Sequence, residues 1–300
     1  MSIFFCKDKD DLVAKYQSGE LKLRDDEYFG ADGLPYCQKC NGKRWAIGAD
    51  YASWCSCKCM QEAYARQRAE EERKKKQQEF EQRVVRSTLM GKHRSLSFDQ
   101  LTVTQHNRKA VSVCRKYVAQ AKEMLSRNIG LYFYGDNSTG KTYLTATLCN
   151  ELMRIGYQCY FTNLATLLDD ILRNEQRVLD LFSTVPFVFI DDLGKEFIDR
   201  ENNANSAKWA EKKLFELLNI RANCNLPTLL SSNYTIAELG EKLRLDKGIL
   251  ERINVMATIM LRLEGDNFRE AELQEKEQQA KKLLGISRMA KMAVEKGGEE

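Results

Sequence analysis

The sequence predicts an α/β protein. A parallel five-stranded sheet covered by helices on both faces is preceded by a small cysteine-rich module and a charged linker helix. Three observations predict it. A glycine-rich phosphate-loop signature, "GDNSTGKT", falls between an apolar strand and a helical segment. Five apolar runs alternate with amphipathic helical patterns from residue 107 onward. Five cysteines crowd between Cys37 and Cys59, ahead of a long run without Gly or Pro.

Composition limits what surrounds these features. At 300 residues the chain is longer than one typical core needs, which fits a small module joined to a larger one. Charged residues make up 30% of the chain, the net charge is +4 and the mean hydropathy is −0.51, so nucleic-acid binding is allowed and not demanded. The opening "MSIFFCKDKDD" is too short an apolar run for a signal peptide, and no later segment reaches the roughly eighteen apolar residues of a membrane span. A cytoplasmic location with no membrane partner is expected. Ten cysteines are then reduced, and a tight cluster among them reads as a metal site rather than a disulfide framework.

Residues 1–60 form the expected metal module, with one or two short helices ahead of the cysteines. Cys37-x-x-Cys40 has the spacing of a zinc knuckle, in which two thiolates close around a tight turn. Zn²⁺ takes four ligands in a tetrahedron, so a second pair comes from Cys55, Cys57 and Cys59, and one of these three thiols is surplus. The two histidines, His93 and His106, lie outside the cluster. Cys6, Cys114, Cys149, Cys159 and Cys224 read as small, isolated residues of the core. The linker, 61–94, is helical over Gln61–Arg86, where Glu70, Glu71 and Glu72 each precede a lysine by four residues.

An ATPase domain over 95–270 follows. A helix is expected over Asn107–Ser126, then strands at 130–135, 158–163, 186–191, 227–232 and 255–263, with helical patterns between them. A charged helical tail occupies 271–300. In the loop Gly135, Asp136, Asn137, Ser138, Thr139, Gly140, Lys141 and Thr142, the glycines let backbone N–H groups face phosphates. Lys141 reaches the β- and γ-phosphates of ATP, and the Thr142 hydroxyl binds Mg²⁺. About fifty residues on, "VPFVFIDDLGKE" runs an apolar strand into Asp191 and Asp192. The first holds the Mg²⁺ water shell and the second orients the attacking water. "PTLLSSNY" ends another strand at Asn233, a polar tip able to place that water.

Taken together, "LSFDQLTVT", "LYFYGDNSTGKTYLTATL", "FVFIDDLGKE", "LFELLNIRANCNLPTLLSSNYTIAEL", "ILERI" and "LRLEGDNFR" resemble, in order and spacing, the AAA+ helicase loaders of the DnaC/DnaI type. Their ATPase core is shared with the IstB transposition helpers. The resemblance covers about residues 95–270 and implies an AAA+ fold of the ASCE class. It implies sensor 1 at Asn233, an arginine finger presented to a neighbouring subunit at Arg252, and sensor 2 at Arg269. It also favours Cys57 with Cys59 as the second thiol pair, with Cys55 and Cys57 the alternative. The implied partners are a hexameric replicative DNA helicase, docked by the zinc module, and single-stranded DNA, with self-association on the helicase. An IstB-like helper acting on duplex DNA with a transposase is the second reading. Arg173, Arg177 and Tyr234 are candidate DNA contacts.

Overall fold

In a computed structural model of the chain, residues 5–197, 204–265 and 268–284 are described. Internal contacts divide it into two units, 1–78 and 79–300.

The first unit is mostly strand. β1 (Phe5–Cys6), α1 (Lys9–Gln17), β2 (Glu27–Phe29), β3 (Pro35–Cys37), β4 (Trp45–Ile47) and β5 (Ala52–Trp54) form a three-stranded sheet, β1-β5-β4, and the hairpin β2-β3. Among the described residues ahead of Cys37 there is therefore one helix, capped by the Asp8 carboxylate on the Asp11 N–H, together with the strands β1 and β2. The strands were not legible because each has only two or three residues. The buried core is Cys6, Leu12, Leu21, Leu34, Trp45 and Ala52. A set this small leaves much of the unit's stability to its ionic and thiol networks. Helix α2 (Lys58–Arg86) spans the division between the units. Its middle is exposed and laced with ion pairs such as Lys76–Glu72 and Arg73–Glu70.

The second unit continues with α3 (Arg108–Ala119), α4 (Ala121–Ser126), β6 (Leu131–Tyr134), α5 (Lys141–Arg154), β7 (Cys159–Asn163) and α6 (Leu164–Thr184). It is completed by β8 (Phe187–Leu193), α7 (Ala204–Asn223), β9 (Thr228–Ser232), α8 (Ile236–Glu241), α9 (Lys247–Met256), β10 (Ile259–Arg262) and α10 (Phe268–Leu284). The five strands pair in parallel in the order β10-β6-β9-β8-β7. This is the AAA+-type architecture the sequence predicts. Two positions differ in detail. The helix expected over Asn107–Ser126 breaks at Gln120, whose φ of −112° and ψ of 22° are not helical, and Val255 with Met256 close α9 rather than open the last strand.

Strand residues alternate between two cores. Val188, Ile190 and Leu230 face α6, α7, α8 and α9, while Phe187, Phe189 and Leu229 face α3, α5 and the end of α2. Phe80 and Val84 of α2 belong to this second core, with the Arg154 guanidinium 4.9 Å from the Phe80 ring centroid. At the lower edge the fully buried Arg221 donates to the carbonyls of Phe182, Val185, Pro186 and Pro227, tying α6, β8 and β9 together. Among the described residues no helix is long and apolar enough to cross a membrane.

Candidate active site

The loop after β6 takes its shape from two glycines. Gly135 has φ +144°, and a Cβ there would lie 2.0 Å from the Leu263 carbonyl oxygen, so only glycine fits beside the last strand. Gly140 has φ +89° and serves as the N-cap of α5. Between them Thr139 Oγ1 donates to the Asp136 carbonyl at 2.9 Å, while Asp136 and Asn137 are exposed and Ser138 has φ +65°. Lys141 is buried and its Nζ donates to the carbonyls of Gly135 and Asp136 at 2.8 and 2.7 Å.

Thr142 Oγ1 donates to Asp191 Oδ2 at 2.7 Å, joining the loop to the end of β8. That bond brings together the hydroxyl and the carboxylate the sequence assigns to Mg²⁺. Burial disfavours the charge on both key groups, raising the Asp191 pKa and lowering that of Lys141. A phosphate beside the ammonium and a divalent cation beside the carboxylate reverse both costs, so the donor set fits Mg·ATP. Asp192 has φ +55° and its Oδ2 meets Lys195 Nζ at 2.7 Å. A cavity of about 240 Å³ over the loop is lined by Lys141, Thr142, Asp192, Lys195 and Asn233. Asn233 also borders a cavity of about 770 Å³ on the far side of the loop, together with Tyr234 and Arg262.

Sequence reasoning missed three features. A cavity of about 420 Å³ beside the loop, lined by Leu101, Thr102, Val111, Tyr143, Leu144 and Leu263 among others, has the size and partly apolar walls suited to a base and ribose. Its walls come from separate segments, so no local motif marks it. Lys195 is visible in "DDLGKE", yet nothing there shows that it pairs with Asp192. Ser231, whose hydroxyl contacts both acidic residues, reads in sequence as one more small strand residue.

Arg252 is half-buried on α9, lines none of these three cavities, and among the described residues its side chain takes part in no hydrogen bond or ion pair. Arg269 falls on α10, but its side chain lies outside the described residues, as do residues 285–300 of the tail. Arg173 and Arg177 are exposed on either side of a break in α6 at Asn174, whose side-chain oxygen accepts the Arg177 N–H.

In the first unit the sulfurs of Cys37, Cys40, Cys57 and Cys59 lie within 4.8 Å of one another. Cys59 Sγ is 3.5 Å from Cys37 Sγ and 3.3 Å from Cys57 Sγ. A tetrahedral Zn²⁺ with Zn–S bonds of about 2.3 Å needs sulfurs about 3.8 Å apart, so the set fits that ion with a small adjustment. Backbone N–H groups of Cys59 and Gly42 point at Cys40 Sγ and hold its thiol pKa at about 6, whereas that of Cys59, hydrogen-bonded to the thiols of Cys57 and Cys37, is pushed up to about 12. Gly42 is packed in the knuckle, since a Cβ would meet Cys57 Cβ at 3.1 Å. Cys55 is set apart. Its N–H extends the β4-β5 pairing by bonding to the Arg44 carbonyl, and its thiol faces the Lys43 carbonyl at 3.7 Å.

The profile of a family described as IstB-like ATP binding protein matches residues 52–278, more than half the chain. The chain belongs to the IstB-like ATP-binding family. This IstB-like chain is 26% identical over 215 residues to the replicative helicase loader DnaI of Bacillus subtilis (strain 168), a match covering 66% of the chain and 65% of that relative. It is 24% identical over 207 residues to the replicative helicase loader DnaC of Escherichia coli (strain K12), covering 66% of the chain and 79% of the relative. A crystal structure of the DnaC helicase loader shares its fold at a TM-score of 0.50 and 20% identity, covering 58% of this chain and 100% of that one. The family match starts at residue 52, so Cys37 and Cys40 lie ahead of it.

Proposed function

We propose that this IstB-like chain is an ATP-driven loader that places a hexameric replicative DNA helicase on single-stranded DNA in the cytoplasm. The observation that carries the reading is the Thr142–Asp191 bond beside Lys141, with Asp192 and Asn233 at adjoining strand tips. Together these residues supply a phosphate cradle, a cation site and a place for the hydrolytic water. The naming of relatives in two organisms as helicase loaders supports the cellular role.

In this reading the backbone and Lys141 would bind the phosphates, and Thr142 and Asp191 would hold Mg²⁺, which would supply positive charge to the phosphate oxygens. Asp192 polarises or orients the attacking water, and Asn233 helps to place it. Arg252 serves the next subunit as an arginine finger, and Arg269 is the sensor-2 residue. Hydrolysis is then slow until subunits assemble on the helicase. The four-thiol module docks the helicase, because four thiolates around Zn²⁺ leave no open position for catalysis. Acidic and basic side chains nearly balance over residues 1–57, with a slight acidic excess, which suits a protein partner better than a polyanion.

Membership of the IstB-like family leaves the second reading open, a transposition helper acting on duplex DNA with a transposase, as the resemblance to the IstB helpers implies. Affinity purification of the tagged chain from its native host separates the two. Recovery of a hexameric helicase supports the loader, and recovery of a transposase without helicase rejects it.

A further inference from the structure

Strand β9 presents a serine to β8 where β8 bulges. Ile190 pairs with Leu230 and Leu193 with Ser232, so Asp191 and Asp192 both stand opposite Ser231. A bulge of this kind takes one backbone N–H out of the ladder and re-aims the side chains around it. The Ser231 hydroxyl answers both consequences. Its oxygen accepts the Asp192 N–H at 3.1 Å, and its proton goes to Asp191 Oδ1. An ionised carboxylate has no proton to give, so the serine is the donor in the second bond. The other carboxylate oxygen takes the Thr142 hydroxyl, and Asp191 is held from two sides.

Both residues are buried, Ser231 at 1% exposure and Asp191 at 6%, so bulk water is poorly placed to replace a lost hydroxyl. Asp192 adopts φ +55°, a left-handed conformation that persists in a non-glycine residue when its surroundings fix it. The adjacent Ser232 cannot substitute. Its hydroxyl donates to the Leu193 carbonyl at 2.6 Å and accepts the Tyr234 N–H at 3.1 Å, holding the turn that carries Asn233.

We infer that Ser231 is the positioning residue of the cation site: by fixing the Asp191 carboxylate against Thr142 and the backbone of Asp192 at the bulge, it sets how strongly nucleotide binding depends on Mg²⁺. The inference rests on the Mg·ATP reading of the loop. It concerns a residue whose hydroxyl bonds to Asp191 and to the Asp192 backbone, and which acts through them.

The test measures the affinity of the intact chain for a fluorescent ATP analogue, first in EDTA and then across a Mg²⁺ titration. Ser231→Ala should leave the EDTA affinity within about twofold and raise the Mg²⁺ concentration for half-maximal tightening about tenfold, the scale of one lost hydrogen bond to a charged group. Ser231→Thr, which keeps the hydroxyl, should restore the wild-type titration. An unchanged titration in folded Ser231→Ala protein overturns the inference, as does a threonine variant as defective as alanine. Should the alanine variant fail to fold, Ser231→Cys takes its place. A tenfold shift there supports the role of the hydroxyl, and a wild-type titration overturns it. Wild-type protein that binds no nucleotide in either buffer overturns the Mg·ATP reading itself, a result distinct from nucleotide binding with an unaltered Mg²⁺ response.

Discussion

The Lys141 ammonium, buried under the loop, donates to the carbonyls of Gly135 and Asp136, and phosphate oxygens offer the same donor stronger, charge-assisted bonds. Lys141→Ala removes that donor without disturbing the backbone of α5. Nucleotide affinity is expected to fall about 100-fold or more while the melting temperature stays near that of the wild type. Calorimetric titration with ATP checks this, and wild-type affinity in the folded variant would remove the phosphate-cradle assignment. In the first unit the sharpest contrast is between cysteines two positions apart. Cys57→Ser should cost the chain its one Zn²⁺, whereas Cys55→Ser should keep it, since Cys55 faces the Lys43 carbonyl and stands outside the four-sulfur group. Metal analysis of the two purified variants decides between them, and equal zinc content would reject the four-sulfur assignment.

At the level of elements, α2 is one continuous helix whose two ends differ in what they touch. Phe80 and Val84 are buried in the core beneath α5, and Arg83 Nη1 donates to the Met153 carbonyl at 3.3 Å. A fragment beginning at residue 79 keeps these contacts, and one beginning at 87 loses them. Burying a phenylalanine and a valine contributes about 3–6 kcal/mol together, so the shorter fragment should melt several degrees lower, by about 2–4 °C per kcal/mol for a unit of this size. Identical melting curves for the two fragments would place Phe80 and Val84 outside the core. The end of α2 illustrates what the sequence does and does not carry. Its charge pattern marks a helix but not where exposure gives way to burial, because Phe80 and Val84 are only two apolar residues in a polar run. The strands of the sheet were legible because parallel strands covered on both faces read as unbroken apolar runs. The loop was legible because glycine, lysine and threonine at fixed spacing answer a local geometric demand. The bulge at Asp191 and Asp192, the Ser231 bridge and the walls of the cavity beside the loop that Leu101, Val111 and Leu263 line depend on pairing between distant segments. No single window of sequence contains them. The second thiol pair was open for a similar reason: three cysteines alternate along residues 55–59, and only the β4-β5 pairing shows which one turns away.

For the whole molecule, the arginine-finger reading of Arg252 sets an expectation about assembly. Subunits carrying Arg252→Ala and subunits carrying Lys141→Ala each spoil a different half of a shared site. Each alone should be nearly inactive in ATP hydrolysis, and a mixture on helicase and single-stranded DNA should recover part of the rate, because a trans-acting arginine contributes about 10³–10⁵. No recovery, with a lone subunit already hydrolysing at the assembled rate, would reject the trans arrangement. In the proposed loader, the four-thiol module would hold the partner while the phosphate loop responds to nucleotide. The most direct test reconstitutes the host's hexameric replicative helicase on closed circular single-stranded DNA and measures how many circles acquire helicase in the presence of this chain. Loading should rise with the chain and ATP, and should stay at the helicase-alone level when Lys141→Ala or a zinc-free Cys37→Ser variant replaces it. Loading that is indifferent to the wild-type chain, or equally supported by the Lys141→Ala variant, would contradict an ATP-driven helicase loader.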